Sequence, residues 1–220
     1  MQIDDYVAEL GRALSGPPGP KRDLVVEARD SLADAAEALE AEGVARTEAE
    51  RQAVEEFGDV AEIAPGYQRE LTASAGRRLG LLLFVSVPIT VLMWSVIWRF
   101  YPMSEQTWAD RPGWFTPVSR LLDVAQLGTG VYGGLALLAL SRGARWIRRP
   151  QLVTRSLGIA VWVMLPVTGG LSLLLAHGPG VPPGLNVFVP SMLANLVTSA
   201  VWGLQLYGAV RCIGVTRQRA

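Results

Sequence analysis

Residues 79–101 read LGLLLFVSVPITVLMWSVIWRFY, and this stretch decides the fold. It has 23 residues and one formal charge, Arg99, near its far end. At about 1.5 Å rise per residue, such a helix crosses a hydrocarbon layer of roughly 30 Å. A helix that is apolar on every face belongs in lipid or at the centre of a large core. The chain has 220 residues, too few to hide several such helices inside a soluble domain.

Three more segments of this kind follow. Residues 121–140 are near the minimum spanning length, with Asp123 toward one end. Residues 156–210 then run for 55 positions without a formal charge, which suits two spans of about twenty residues each. Between them, residues 178–186 are crowded with the Gly and Pro that break helices. The expected spans are therefore 79–101, 121–140, 157–176 and 187–210, within a transmembrane domain over 79–212. Pro88, Pro166 and Pro190 fall inside these spans, where neighbouring helices can satisfy the freed carbonyls. Gly130 and Gly134 form a GxxxG step, and Gly169–Gly170 sit in the third span; small residues let helix backbones approach closely.

Charge sets the expected topology. Residues 1–70 carry 17 acids and 7 bases, and residues 71–220 carry 3 acids and 13 bases. The zero net charge thus hides an acidic head and a basic remainder. Arg77 and Arg78 precede the first span; Arg142, Arg145, Arg148, Arg149 and Arg155 fill the second loop; Arg211, Arg217 and Arg219 follow the fourth span. The bias of Arg toward cytoplasmic loops places these three regions on one side. Both termini are then expected on the cytoplasmic side. The arginine loop is chiefly a topology signal that also meets anionic lipid headgroups, or the acidic head. With one aromatic, Trp146, and no groove-reading element, it gives no reason to expect direct nucleic-acid binding. Trp94, Trp98, Trp108, Trp114, Phe115 and Trp146 fall near span ends, where amphipathic rings anchor.

Little catalytic chemistry is available. One cysteine, Cys212, and one histidine, His177, leave no disulfide, Cys-x-x-Cys pair or His/Cys ligand set. No phosphate-binding glycine loop, zinc-helix motif or nucleophile elbow occurs. The expectation is a non-enzyme with no catalytic residue, cofactor or metal. The fourth span does hold an intramembrane polar stripe, with Asn195, Ser199 and Gln205 as candidate residues beside Thr198 and Trp202. Such groups line a pathway or bond neighbouring helices. Asp123, His177, Cys212 and the oligomeric state carry no assigned role.

The first 71 residues predict a small helical bundle, so the fold class is all-α throughout. Ile3, Tyr6, Val7, Leu10 and Leu14 line one helix face. SGPPGP then breaks the chain, and a longer helix over 21–42 places Leu24, Ala28, Leu32, Ala35 and Leu39 on a stripe. Gly43 supplies its stop. Thr47 with Glu50 reads as a capping box for a third helix bearing Ala53, Val54 and Phe57. Gly58 ends that helix, and Asp59 with Glu62 opens a fourth with Ile63, Tyr67 and Leu71. Residues 72–78 read as a juxtamembrane linker and 213–220 as a basic tail.

The run from Ile3, Tyr6 and Leu10 through RDLVVEARDSLAD to GVARTEAERQAVEEFGDVAEIA resembles the helical permease prefix domain. That domain is related to the HAAS signalling domain found beside PadR-type transcription regulators. The most specific residues are Gly43, Thr47–Ala49, Ala53 and Phe57–Gly58–Asp59. The family often has a histidine between an Asp and a Leu of the second helix; here Ser31 stands between Asp30 and Leu32. The resemblance implies an intracellular helical module fused to a membrane domain of a bacterium's inner membrane, and the acidic charge of the head points to a protein partner; Tyr6, Leu10, Leu32, Phe57, Gly58 and Asp59 are its candidate interaction or structural residues. The resulting expectation is a regulatory or adaptor membrane protein; the alternative is the membrane subunit of a transporter.

Overall fold

The computed structural model describes residues 2–101, 111–142, 150–180 and 188–217. Among them it contains seven helices and no strand: α1 Ile3–Ala13, α2 Pro18–Ala41, α3 Arg46–Phe57, α4 Val60–Phe100, α5 Phe115–Arg142, α6 Pro150–His177 and α7 Val189–Arg217. Contacts divide the chain into two compact units, Met1–Ser74 with Gly214–Ala220 and Ala75–Ile213.

The head folds around the predicted stripes. Tyr6 and Leu10 of α1 and Leu32 of α2 have no exposed surface. Ala28, Leu32 and Ala36 lie at successive i+4 positions, which puts them on one face of α2. Ala49, Ala53 and Val54 of α3 complete this core with Val60, Ala64 and Leu71 of α4. Asp4 and Asp5 in the first turn of α1 and Arg12 in its last complement the helix dipole. On α3, Arg51 reaches both Glu48 and Glu55 at 2.6 Å. Hydrogen bonds from Arg51 and then Gln52 hold the Glu48 carboxyl down at about 2. These pairs are exposed, so they contribute little to stability.

Two helix starts differ from expectation. α2 begins at Pro18, not near Lys21, because proline at the first helical position has no N–H to leave orphaned and its φ already suits a helix. α3 begins at Arg46 with Ala45 as N-cap and no side-chain cap bond. The Thr47–Glu50 box is therefore not formed: Thr47 already lies inside the helix, and Glu50 pairs with Arg46 at 3.4 Å. Asp59 does cap α4, its Oδ1 accepting from the Ala61 N–H at 3.4 Å. Gly43 and Gly58 take φ of 95° and 98°, a region side chains disfavour, which makes them the stops between helices.

Four helices are long and apolar enough to cross a membrane. This is the pattern of a membrane protein. Residues 72–78 lie within α4, so the juxtamembrane segment is helical. α7 continues to Arg217, so the expected tail begins as helix. Pro166 lies inside α6, whereas Pro190 is the second residue of α7, where it costs no ladder bond. The second loop (143–149), and residues 181–187 of the third, lie outside the described residues.

The spans approach through glycines. A Cβ on Gly133 of α5 would stand 2.6 Å from the Leu83 Cβ of α4, and one on Gly80 would stand 2.9 Å from the Gly133 carbonyl oxygen. Of the expected GxxxG pair, Gly134 faces the Phe84 ring, and a Cβ on Gly130 would stand 3.3 Å from a Val87 methyl. A Cβ on Gly158 of α6 would stand 3.2 Å from the Ala209 carbonyl oxygen of α7, and one on Gly169 3.3 Å from the Trp202 ring; one on Gly170 would meet nothing within 4 Å. Leu79, Leu83, Ala136, Leu157, Val161, Ala209 and Cys212 form the buried core between these helices.

Candidate functional site

In the head, the residues expected to interact mostly build the interior. The Tyr6 hydroxyl donates to the Gly58 carbonyl at 2.9 Å, and its ring meets Phe57 edge-on at 5.8 Å. Leu10 and Leu32 are fully buried, Phe57 and Gly58 are partly buried, and Asp59 is exposed at its cap. Together they join α1 to the α3–α4 corner. Burial raises the Tyr6 pKa above its ordinary 10, with Tyr67, Asp59 and Glu9 adding to the effect.

This raised pKa gives a testable sign. Below pH 10 the phenol is neutral in both the folded and unfolded head. As pH rises beyond that, the unfolded chain releases a proton that the folded chain keeps. Tyr6 therefore contributes stability that is present below pH 10 and lost as pH climbs through its folded pKa. Tyr6→Phe is expected to cost about 0.5–1.5 kcal/mol at neutral pH and to flatten part of the alkaline decline. Thermal melts of the head's helical signal between pH 8 and 11 check both.

The exposed surface of α2 presents a different pattern. Asp23, Glu27, Asp30 and Asp34 recur at 4, 3 and 4 spacing, so they form one stripe. All four are exposed, with Val26 (46% exposed) and Arg22 beside them. None of the four pairs with a cation among the described residues. Ser31 lies on this surface and donates to the Glu27 carbonyl at 2.9 Å. Within the described residues no group of three or more His, Cys, Asp or Glu could hold a metal ion. A helix face of this kind suits a basic protein surface.

In the span bundle, the fourth-span stripe is divided. Asn195 and Ser199 are exposed on the outside of α7. Gln205 is buried and donates from Nε2 to the Ser86 Oγ of α4 at 2.9 Å. Thr198 accepts from the Trp94 Nε1 at 3.2 Å. Trp94 stacks on Trp98 at 6.1 Å, and Trp98 meets Phe188 at 6.2 Å. Trp108, Arg145, Trp146, Arg148 and Arg149 lie outside the described residues; Arg142 ends α5, and Arg155 is exposed on α6. Asp123 and His177 are exposed and Cys212 is buried.

Gln205 leads to a site that sequence reading missed. Near the middle of the spans, α4, α5, α6 and α7 line a partly open chamber of about 40 Å³. Its polar wall consists of Thr90, Gln126, Thr129, Thr168 and Gln205; the remainder is apolar, including Met164 and Trp202. Pro88 and Pro166 sit at the same level, next to the wall residues Val87 and Leu165. Each proline leaves one backbone carbonyl of the preceding turn, Phe84 or Trp162, without its helical donor. The polar residues are spread over four helices, with only Gln126 and Thr129 sharing one, so no motif announces them. Comparing their depths from the span ends would have brought them together.

The head is similar to a known family. Residues 5–66 match the HAAS family model. The matched segment covers most of α1, all of α2 and α3 and the start of α4, including the acidic stripe and the Tyr6–Gly58 corner. Neither a curated protein nor a solved structure matches the chain.

Proposed function

We propose that the chain is a non-catalytic regulatory or adaptor protein of the bacterial inner membrane. The HAAS match over residues 5–66 carries this reading, since that family is linked to PadR-type regulators. The four spans hold the head at the membrane surface, with both termini in the cytoplasm. The arginines before the first span and after the fourth support this orientation. The partner, a PadR-type regulator, docks on the acidic α2 stripe. Single exposed ion pairs are weak and are screened beyond about 8 Å at physiological salt. The stripe therefore steers and selects its partner more than it anchors it.

The test is co-purification of the full chain in detergent with a PadR-type regulator. Neutralising the stripe (Asp23→Asn, Glu27→Gln, Asp30→Asn, Asp34→Asn) is expected to abolish retention at physiological salt, while the helical signal stays intact. Equal retention by the neutralised chain would remove the stripe from the mechanism. Failure of the native chain to retain a regulator would count against the reading itself.

A second reading rests on the permease prefix resemblance: the membrane subunit of a transporter. The chamber's size argues against a substrate passing through it, since ~300 Å³ is the lower end for drug-sized ligands. Replacing Gln205 with Leu separates the two readings. Loss of a measured flux supports transport; lowered bundle stability alone supports a structural hydrogen bond.

A further inference from the structure

Size, charge and hydrogen-bond polarity together select an occupant for the span chamber. Its volume of about 40 Å³ exceeds the ~10–15 Å³ that one water requires and lies far below the ~300 Å³ of larger ligand sites. No ionisable side chain lines it. An ion stripped of water there, without a counter-charge, would carry a large desolvation penalty. The occupant is therefore small and uncharged.

Hydrogen-bond polarity narrows it further. Thr90, Thr129 and Thr168 each donate their hydroxyl proton to a carbonyl of the preceding turn, all at 2.8 Å. A hydroxyl that has committed its proton retains only acceptor lone pairs for a guest. Gln205 commits an amide proton to Ser86, and its carbonyl oxygen is a further acceptor. Gln126 is half-buried and makes no side-chain hydrogen bond to another described residue. Its amide can donate as well as accept. The wall is thus rich in acceptors, with an amide donor at one point.

We propose that this chamber is a binding site for a small uncharged hydroxyl donor, held by Thr90, Thr129, Thr168, Gln126 and Gln205. The guest donates a hydrogen bond from its O–H to the threonine or glutamine oxygens and accepts one from an amide N–H. Two sources share this chemistry: water, and a short-chain alcohol dissolved in the bilayer. Every span supplies part of the wall, so the guest is a common partner of all four helices. The inference is independent of what binds the head.

The test uses the full chain in lipid nanodiscs and reads two signals. In the first arm, X-ray pulses in ¹⁸O-water generate hydroxyl radicals wherever water resides, and these oxidise nearby methionines. Met164 lines the chamber and is 36% exposed, whereas Met192 is 54% exposed on α7 and does not line it; lipid would cover the outward surface of both. The expected result is ¹⁸O uptake severalfold faster at Met164 than at Met192. The shape-preserving variant Thr90→Val/Thr129→Val/Thr168→Val should bring Met164 down to the Met192 rate. Should that variant lose its helical signal, Thr168→Val alone is expected to lower the rate in part.

In the second arm, a short diazirine-bearing alcohol is photolysed and the labelled peptides are mapped. Label on chamber residues should be competed by 1-propanol and not by ethyl methyl ether, which accepts hydrogen bonds but cannot donate them. Oxidation at Met164 without photolabel assigns the site to water; photolabel competed by propanol assigns it to alcohols too. The proposal is overturned by equal oxidation of Met164 and Met192 together with no chamber label. It is equally overturned by a Met164 rate that survives the valine substitutions, or by competition from the ether as strong as from the alcohol.

Discussion

Leu32→Ala is expected to lower the stability of the head by about 2–5 kcal/mol. Leu32 is fully buried and is flanked along its face of α2 by two alanines, Ala28 and Ala36. Those neighbours have no side-chain length with which to collapse into the void. Lost burial and residual cavity therefore add, which places the site toward the upper part of that range. Domains hold roughly 0.05–0.15 kcal/mol per residue, so for a unit of this size the loss removes a large share of the total. Hydrogen exchange followed by mass spectrometry, on the full chain in nanodiscs, reads it directly. Peptides from α1, α2 and α3 should lose protection while those from α5 and α6 keep it. Val26→Ala, at a position 46% exposed, is the control and should shift stability by no more than about 0.5 kcal/mol. Equal protection in both variants would mean that Leu32 does not support a core.

Gly133→Leu is expected to separate α4 from α5. Even the first carbon of the new side chain would stand 2.6 Å from the Leu83 Cβ, 3.2 Å from the Gly80 carbonyl oxygen and 3.4 Å from the Phe84 nitrogen. Two of those three atoms are backbone, so no rotamer change relieves the contact. Overpacking commonly costs about 1–3 kcal/mol and occasionally more, and the branched remainder of leucine adds to it. In lipid no hydrophobic driving force replaces lost helix–helix packing, so little offsets the clash. Unfolding in a detergent series, from a mild detergent toward SDS, should show a clear loss of stability. Gly170→Leu is the matched control, since a Cβ there meets nothing within 4 Å. If the two variants unfold alike, the close approach of α4 and α5 is wrong.

These two positions show what the sequence made legible. Leu32 was readable because helical periodicity in a charged segment leaves one apolar stripe, and a stripe must be buried. The four spans were readable because length and lack of charge suffice to identify them. Gly133 was not. Gly130 and Gly134 satisfy a spacing rule, but Gly133 beside them is just as small, and which one meets another backbone depends on the rotation of each helix about its axis. That rotation is set by packing, which no single helix encodes.

Helix starts failed for a similar local reason. A Thr–x–x–Glu pattern names a capping box only if the chain turns into the helix at Thr47, and here Arg46 already belongs to it. The candidate sites divide in the same way. Tyr6 and Gly58 were singled out as residues of the head, yet the hydrogen bond joining them spans 52 positions of sequence. Asn195 and Ser199 shared a polar stripe with Gln205 on paper, but a helix wheel cannot tell lipid from bundle, and only Gln205 points inward. The chamber needed Thr90, Gln126, Thr129 and Thr168 from three other spans, ordinary polar residues that form no motif within any one segment.

Cysteine accessibility in spheroplasts tests most directly the claim that four helices cross the membrane and return both ends to the cytoplasm. Replacing Cys212, the single cysteine, with Ser gives a blank background. Gln2→Cys, Gly113→Cys and His177→Cys then report on the head, the segment between α4 and α5, and the end of α6. The account predicts that a membrane-impermeant maleimide labels the Gly113→Cys and His177→Cys chains in intact spheroplasts, and the Gln2→Cys chain only after lysis. Labelling of the Gln2→Cys chain before lysis, or protection of either of the other two, would contradict it.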